Sequence, residues 1–360
     1  MKTYAAEGVQ VSKTTRRVHP NINAVAREAG VSVGTVSNAL NNPERLAEDT
    51  LQRVQAAIER IGYIRSSAGR TLIRNRSDSL GLITPDLVNE LFVRIARGAQ
   101  ATASAQGQRL VMANSLFNAH DLAAGYAQHD LQDSYLEYFA EARTDGVLVA
   151  SMRDPTAGIA RIRSHVRPIV VINYDVPDAD WCTVLMDNEQ VGRSAVEHVA
   201  DLGIRRAYFV SIPDLVQPVI ERRRGAHAGA AARGVELIDV TSSGLDSAAG
   251  EAAAAALPLY ADQQRVAILA LSDDLAAGVL KHLRGHTELR VPDDVAVLGL
   301  DGDHHDNGLD WIALTSIELP GQAMGAEAIR LLNAEAEPGH VHERVVLPVP
   351  FTFRQSTLGV

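Results

Sequence analysis

Five short apolar runs of this sequence end in a polar side chain that could do chemistry: Asp86, Asn173, Asp187, Asp273 and Asp301. Open α/β sheets place their ligands at such strand ends, so carboxylates and an amide there point to hydrogen-bonded capture of a small polar molecule. Asp273, within Ser272-Asp273-Asp274, fits a helix N-cap equally well. Covalent chemistry finds less support. Gly30-Val31-Ser32-Val33-Gly34 spells the nucleophile elbow G-x-S-x-G, but that elbow needs a buried strand before the serine, and an amphipathic helical period precedes this one. No G-x-G-x-x-G or Walker A sequence follows a strand-like run, which leaves a dinucleotide or phosphate cradle unsupported. Asp301-Gly302-Asp303-His304-His305-Asp306 suggests a metal, yet adjacent histidines rarely converge on one ion and no second spaced His/Cys pair accompanies them. His340 and His342 read as a surface turn. The sequence therefore assigns no catalytic residue, no metal and no cofactor.

The elements that must position these residues alternate. Strands are expected at Leu80–Thr84, Arg109–Ala113, Gly146–Ala150, Ile169–Ile172, Thr183–Met186, Ala207–Ser211, Ala267–Leu271 and Val295–Leu300, with helical stretches between them. That is the β-α-β pattern of parallel sheets. The segment before them differs. Ile22, Val25, Ala26 and Ala29 keep a helical period that stops at Gly30, and a second short helix runs from Val33 to Leu40 with Ser32 as its N-cap. Two short helices joined through Ala29-Gly30-Val31-Ser32 outline a helix-turn-helix, whose second helix enters the major groove of DNA. A third helix is expected from about Glu48 to Ile61, with Leu51, Val54, Ala57, Ile58 and Ile61 on one face.

Composition agrees with a basic head on an acidic body. The net charge is −10, but residues 1–76 hold 12 Lys/Arg against 6 Asp/Glu, and the rest 22 against 38. Phosphate contacts need cations locally, so this asymmetry supports a nucleic-acid-binding front. With 46% hydrophobic and 22% charged residues, the 360-residue chain is long enough for one small and two medium domains. No apolar run approaches a membrane span, and residues 1–20 lack the apolar region of a signal peptide. Those residues read as a basic, disordered arm carrying Lys2, Lys13, Arg16 and Arg17, with phosphate contact near an operator as the alternative. A single cysteine, Cys182, excludes an internal disulfide, reads as a packing residue and fits a reducing cytoplasm.

The A-x-x-A-G-V-S-x-x-T-V-S-x-x-L-N core from Ala26 to Asn41, the QAAIERIGYI that follows and the later SSAGRTLIR together resemble the LacI/GalR family of bacterial transcription regulators. The likeness covers nearly the whole chain beyond residue 20. It implies an N-terminal all-α helix-turn-helix head plus hinge helix, and an α/β two-lobed, periplasmic-binding-protein-like body with parallel sheets. The expected boundaries are 1–20 for the arm, 21–65 for the head, 66–77 for hinge helix and linker, 78–185 with 318–342 for the N-terminal lobe, and 186–317 with 343–360 for the C-terminal lobe.

The resemblance places base-reading residues at Val33, Gly34 and Asn38, with Ser32, Thr35 and Ser37 near phosphates. Asn38 can bond adenine N6 and N7 in a bidentate pair, whereas Gly34 offers no side chain. Leu72 matches the leucine that wedges into the minor groove. In the body, Glu221-Arg222-Arg223-Arg224-Gly225 resembles the R-x-x-G element whose first arginine, here Arg222, reaches the effector, and Asp301 matches an acceptor of effector hydroxyls. Asp86, Phe92, Asn173 and Asp273 complete the expected effector site, while Arg223 and Arg224 read as solvated. The family's aromatic platform falls at Leu245, with Phe92, Tyr174 or Trp311 as substitutes. Other departures are Ala24 in place of a capping acid, Ala47 in place of a capping hydroxyl, Arg65 for proline, Gly69 for alanine, and added residues between Asn114 and Tyr135 with no assignable role.

The resulting expectation is a cytoplasmic, homodimeric repressor on a pseudo-palindromic double-stranded operator. Its affinity would answer to a sugar-like, sugar-acid or nucleoside effector held between the lobes, with no membrane partner and no enzymatic activity. A solute-binding protein would need an export signal; a sugar-acting enzyme would need a catalytic acid/base pair or a phosphate loop. The chain ends soon after Arg354 without a heptad tail, so a coiled-coil tetramer is not expected.

Overall fold

The computed structural model describes residues 20–64, 77–87, 89–115, 131–166, 168–213, 216–259, 264–302 and 310–358. They fall into two units, Met1–Ser77 and Asp78–Val360. Most of the expected arm, the hinge helix with Gly69 and Leu72, nearly all of the added segment, and residues 303–306 of the acidic-histidine run lie outside the described residues.

In the first unit, α1 (Ile22–Ala29), α2 (Val33–Asn41) and α3 (Glu48–Ile61) close around Val25, Ala26, Ala29, Val36, Val54 and Ala57. With alanine at position 24, Asn21 caps α1 alone, its side-chain oxygen accepting the Ala24 amide at 3.0 Å. Gly30 takes φ +66°, the left-handed turn that ends α1 and leaves Val31 packed against the core. Ser32 caps α2 through the Thr35 amide at 3.1 Å. At Ala47 no side-chain cap forms, and Glu48 and Asp49 in the first turn of α3 are the acidic groups its dipole favours.

The second unit begins with β1 (Ser79–Thr84), α4 (Glu90–Ala105), β2 (Arg109–Asn114), α5 (Gln132–Glu141), β3 (Gly146–Ala150), α6 (Thr156–Ile162), β4 (Ile169–Ile172) and β5 (Cys182–Met186). It continues through α7 (Asn188–Asp201), β6 (Arg206–Ser211), α8 (Gln217–Arg233), β7 (Glu236–Thr241), α9 (Ser247–Ala256), β8 (Val266–Ala270), α10 (Asp273–His286) and β9 (Val295–Gly299). It closes with β10 (Ser316–Ile317), α11 (Gly321–Glu335), β11 (Arg344–Leu347), β12 (Phe351–Thr352) and α12 (Gln355–Leu358). Two parallel sheets result, ordered β2-β1-β3-β4-β5-β11 and β7-β6-β8-β9. Every residue of β3, β5, β8 and β9 is buried, as expected of parallel strands covered on both faces.

The chain crosses between lobes three times: after β5, after β10 and after β11. The antiparallel pair β10–β12 brings the last two crossings together. One boundary differs from the sequence expectation. Residues 343–360 were assigned to the C-terminal lobe, but β11 pairs with β5 and forms the edge of the first sheet. Its exposed-intermediate alternation is that of an edge strand with one covered face, which hides it among surface segments.

Candidate functional site

On α2 the packing divides the residues. Val36 is fully buried, whereas Gly34 and Asn38 are exposed on the opposite side and Val33 is exposed at the first turn. Positions 34 and 38 stand one turn apart, so Gly34 leaves open backbone beside the Asn38 amide. The hydroxyls of Ser32 and Thr35 bond each other at 2.9 Å, and Ser37 accepts from the Asn41 amide at 3.2 Å. This brings six of the seven expected DNA-facing residues onto one short helix and its cap; Leu72 lies outside the described residues.

In the body, topology selects the place for a ligand. The strand order reverses at β1 in the first sheet and at β6 in the second, and a crevice opens beyond the carboxyl ends of strands at such switch points. Asp86 follows β1, α8 follows β6, and Asp273 opens the helix after β8. Arg222 on α8 is buried; it donates from Nε to Asn188 Oδ1 at 2.9 Å and from Nη1 to the Leu300 carbonyl at 2.7 Å. Burial pulls this guanidinium below its ordinary pKa, against the opposing charges of Asp301, Asp273 and Glu221. Asn188 donates to Glu221 at 3.3 Å, and burial holds the Glu221 carboxyl above the usual carboxylate value despite that bond and the nearby Arg224.

The close fit of α8 on α7 makes this possible. A side chain at Gly225 would overlap the Glu189 carbonyl, and one at Gly192 the Arg222 carbonyl. The R-x-x-G spacing is therefore a packing rule: the glycine lets two backbones touch, and the arginine one turn earlier reaches the head of the neighbouring helix. Asn188 and Glu221 belong to this cluster, and sequence reasoning gave neither a role. The signal available was Asn188 directly after Asp187, at the first crossing.

Several expected residues take other places. Asp187 caps α7, accepting the Gln190 amide at 2.9 Å. Ser272, not Asp273, caps α10. Asp273 is 1% exposed; its carboxylate accepts from Ser316 Oγ at 2.7 Å and from the Asp301 amide at 3.3 Å. It ties the end of β9 to β10 and so positions Asp301, which is half-buried. Phe92 is 3% exposed within the main core, with no open face for stacking. Trp311 is covered by the Arg284 guanidinium at 4.7 Å, about 16 Å along α10 from Asp273 at 1.5 Å rise per residue. Arg223 is not solvated: it donates to the Ile212 carbonyl at 3.0 Å and lies over the Phe209 ring. Arg224 is exposed, as expected, and pairs with Glu189.

Asn173 stands out at the end of β4. It is buried, its backbone takes φ +66°, and its Nδ2 donates weakly to Met152 Sδ at 3.4 Å. Among the described residues its Oδ1 has no hydrogen-bond partner. A strained conformation and an unsatisfied buried acceptor both cost free energy that the fold itself does not recover here. Next to it, burial first and then the charges of Asp154 and Glu221 raise the Tyr174 hydroxyl above its ordinary pKa.

Comparison with known proteins gives a consistent picture. Residues 21–66 match the family described as bacterial regulatory proteins, lacI family, and residues 196–357 match the periplasmic binding protein-like domain. The HTH-type transcriptional repressor CytR of Escherichia coli (strain K12) is 28% identical over 319 residues, covering 88% of this chain and 90% of the relative. A complex of the transcriptional regulator CelR with cellobiose aligns at a TM-score of 0.62 and 26% identity over 94% of this chain and all of that one. The lac repressor dimer bound to operator and the anti-inducer ONPF aligns at 0.78 over 95% of this chain and 100% of its own; at 20% identity it bears on the fold alone.

Proposed function

The chain belongs to the LacI family of bacterial regulatory proteins and is a DNA-binding transcription regulator, and from that premise we propose that it is a repressor whose operator affinity is set by a small polar effector held between its lobes. On this reading two copies present equivalent heads to a pseudo-palindromic operator in the cytoplasm. Asn38 and Val33 read bases, Ser32, Thr35 and Ser37 lie near phosphates, and Leu72 wedges into the minor groove at the centre.

The observation that supports an effector site most is Asn173, a buried acceptor without a partner on a strained strand end. A hydroxyl or N–H of the effector satisfies it. Across the cleft, Asp301 accepts further hydroxyls; the Arg222–Asn188–Glu221 cluster and Asp86 complete the polar lining. Asp273 acts by positioning Asp301, and Phe92 by supporting the first turn of α4. Sugars, sugar acids and nucleosides carry the required donors. The cellobiose bound by CelR is one member of that class.

The test has two arms. With an operator mapped by footprinting, Asn38→Ala weakens specific binding by about 1–3 kcal/mol at stated salt and leaves random-duplex binding unchanged. Equal loss on both DNAs assigns Asn38 a structural role instead. A thermal-shift screen of the whole chain against sugars, sugar acids and nucleosides then identifies the effector, through stabilisation that grows with ligand concentration. Failure of all three classes overturns the cleft reading.

A further inference from the structure

A second polar cluster lies away from the cleft, on the edge of the first sheet. Cys182 opens β5 and is fully buried. Its Sγ lies 3.0 Å from His340 Nε2 and receives the Glu343 amide at 3.3 Å. One ligand atom from each of Cys182, His340 and His342 lies within 4.8 Å of the other two. Behind them Glu335, at the end of α11, is almost wholly buried; Oε2 accepts the Ile169 amide, and Oε1 stands 3.7 Å from His342 Nδ1. We propose that Cys182, His340 and His342 form a site for a borderline-soft divalent ion of the zinc class.

Donor chemistry sets the ion class. One thiolate and two imidazoles favour Zn2+ and its neighbours over Mg2+ or Ca2+, which take oxygen ligands. Geometry is close to what such an ion needs. With Zn–S near 2.3 Å and Zn–N near 2.0–2.1 Å, a tetrahedral edge is about 3.3–3.6 Å, so the three donors need adjustments of about an ångström. Burial raises the Cys182 thiol above its ordinary pKa, opposed by the Glu343 N–H aimed at its sulfur, so binding of the ion must displace the thiol proton to solvent. Glu335 takes the place of the outer carboxylate that commonly orients a ligating imidazole, and water fills the fourth position. His342 is the most exposed of the three, which gives the ion an entry path.

The location gives the site a consequence. Thr183 is in register with Arg344, so the ion ties the segment leading into β11 to the start of β5. That segment feeds the third crossing, and its pinning stiffens the edge on which the crossing hangs. Cys182 and His340 are 158 residues apart in sequence, which is why the histidine pair reads as an ordinary turn until the strand pairing is known.

The test uses the full-length protein, reduced and stripped with a chelator, then titrated with Co2+ and competed with Zn2+. The expected result is a near-ultraviolet thiolate-to-cobalt charge-transfer band that saturates at one equivalent per chain and is abolished by Zn2+. Cys182→Ser removes the band. His342→Gln, on the exposed rim, weakens Co2+ binding by at least about tenfold with the circular dichroism spectrum unchanged. No band, a band that survives Cys182→Ser, or a Co2+ affinity unchanged by His342→Gln overturns the proposal. Weak binding without the band, indifferent to both substitutions, is adventitious coordination by other histidines and overturns it too.

Discussion

At the scale of single residues, the body holds polar groups under conditions that the folded chain alone does not reward. Asn173 combines a left-handed backbone with an unpartnered buried oxygen. Glycine accepts φ near +66° without a side-chain clash and removes the orphan acceptor. Asn173→Gly is therefore expected to leave the unfolding midpoint unchanged or raised while weakening the effector by about 0.5–1.5 kcal/mol, up to roughly tenfold, in calorimetry. A fall in stability with unchanged affinity would make Asn173 a turn residue only. Glu221 supplies a second test, through pH. Its folded pKa is raised, chiefly by burial, above the ordinary 4.5. An acid raised on folding contributes stability that is complete below the unfolded value and disappears as pH rises through the folded one. Against Glu221→Gln, which keeps an acceptor for Asn188 without the charge, the wild-type thermal midpoint should drop progressively from about pH 4.5 upward. Parallel midpoints across that range would show that the charge is already compensated by Arg222 and Arg224.

At the scale of elements, the cleft cluster depends on helix contact more than on the strands themselves. Gly225→Ala gains helix propensity of about 1 kcal/mol but drives a methyl into the Glu189 carbonyl, an overpacking cost of about 1–3 kcal/mol or more, because backbone cannot swing aside. Gly229→Ala meets the Arg193 carbonyl at 3.1 Å, a contact that a small shift relieves. The first variant should thus lower the melting temperature by several degrees and carry Arg222 away from Asn188, weakening the effector; the second should be near neutral. Equal midpoints for both would refute the close-contact account. The same logic explains what could be read from the sequence. Gly146–Ala150 and Ile169–Ile172 came out residue for residue, because strands buried on both faces are unbroken apolar runs. β7 and β11 were missed: each is an edge strand, half exposed, with Glu236 and Asp239 in one and Arg344 in the other. At the proposed effector site, Arg222 and Asp301 were legible as candidates through motif and strand end. Asn188 and Glu221 were not, since their roles exist only once α7 and α8 touch, and Phe92 was misplaced because an aromatic near a strand end is as easily core as platform.

At the scale of the molecule, one bridge joins the two lobes next to the cleft. Gln217, at the start of α8, accepts the Asp175 amide at 2.7 Å and donates to the Asp175 carbonyl at 3.1 Å. Asp175 lies between β4 and β5 on the other lobe, where its carboxylate is held by Arg344 at 2.7 Å. The bridge therefore links α8, which carries Arg222, to the strand end that carries Asn173 and to the edge strand that feeds the third crossing. Gln217→Ala removes both bonds without touching the polar residues proposed to meet the effector. The two bonds together are worth about 1–3 kcal/mol to the arrangement in which the lobes are joined. An effector that contacts both walls binds that arrangement, so in the variant part of its binding free energy goes into re-forming it, and its affinity falls by up to that amount. Small-angle scattering of the effector-free variant should show a larger radius of gyration, and calorimetry a weaker effector. Linkage adds a result that holds for either sign of regulation. If the effector favours the joined lobes, removing the bridge disfavours them, so in effector-free protein Gln217→Ala must shift operator affinity in the direction opposite to the effector. An inducer implies a variant that represses more tightly; a corepressor implies one that represses less. A shift in the same direction as the effector would mean that the effector separates the lobes, and the cleft reading would then have to place its contacts on one wall only.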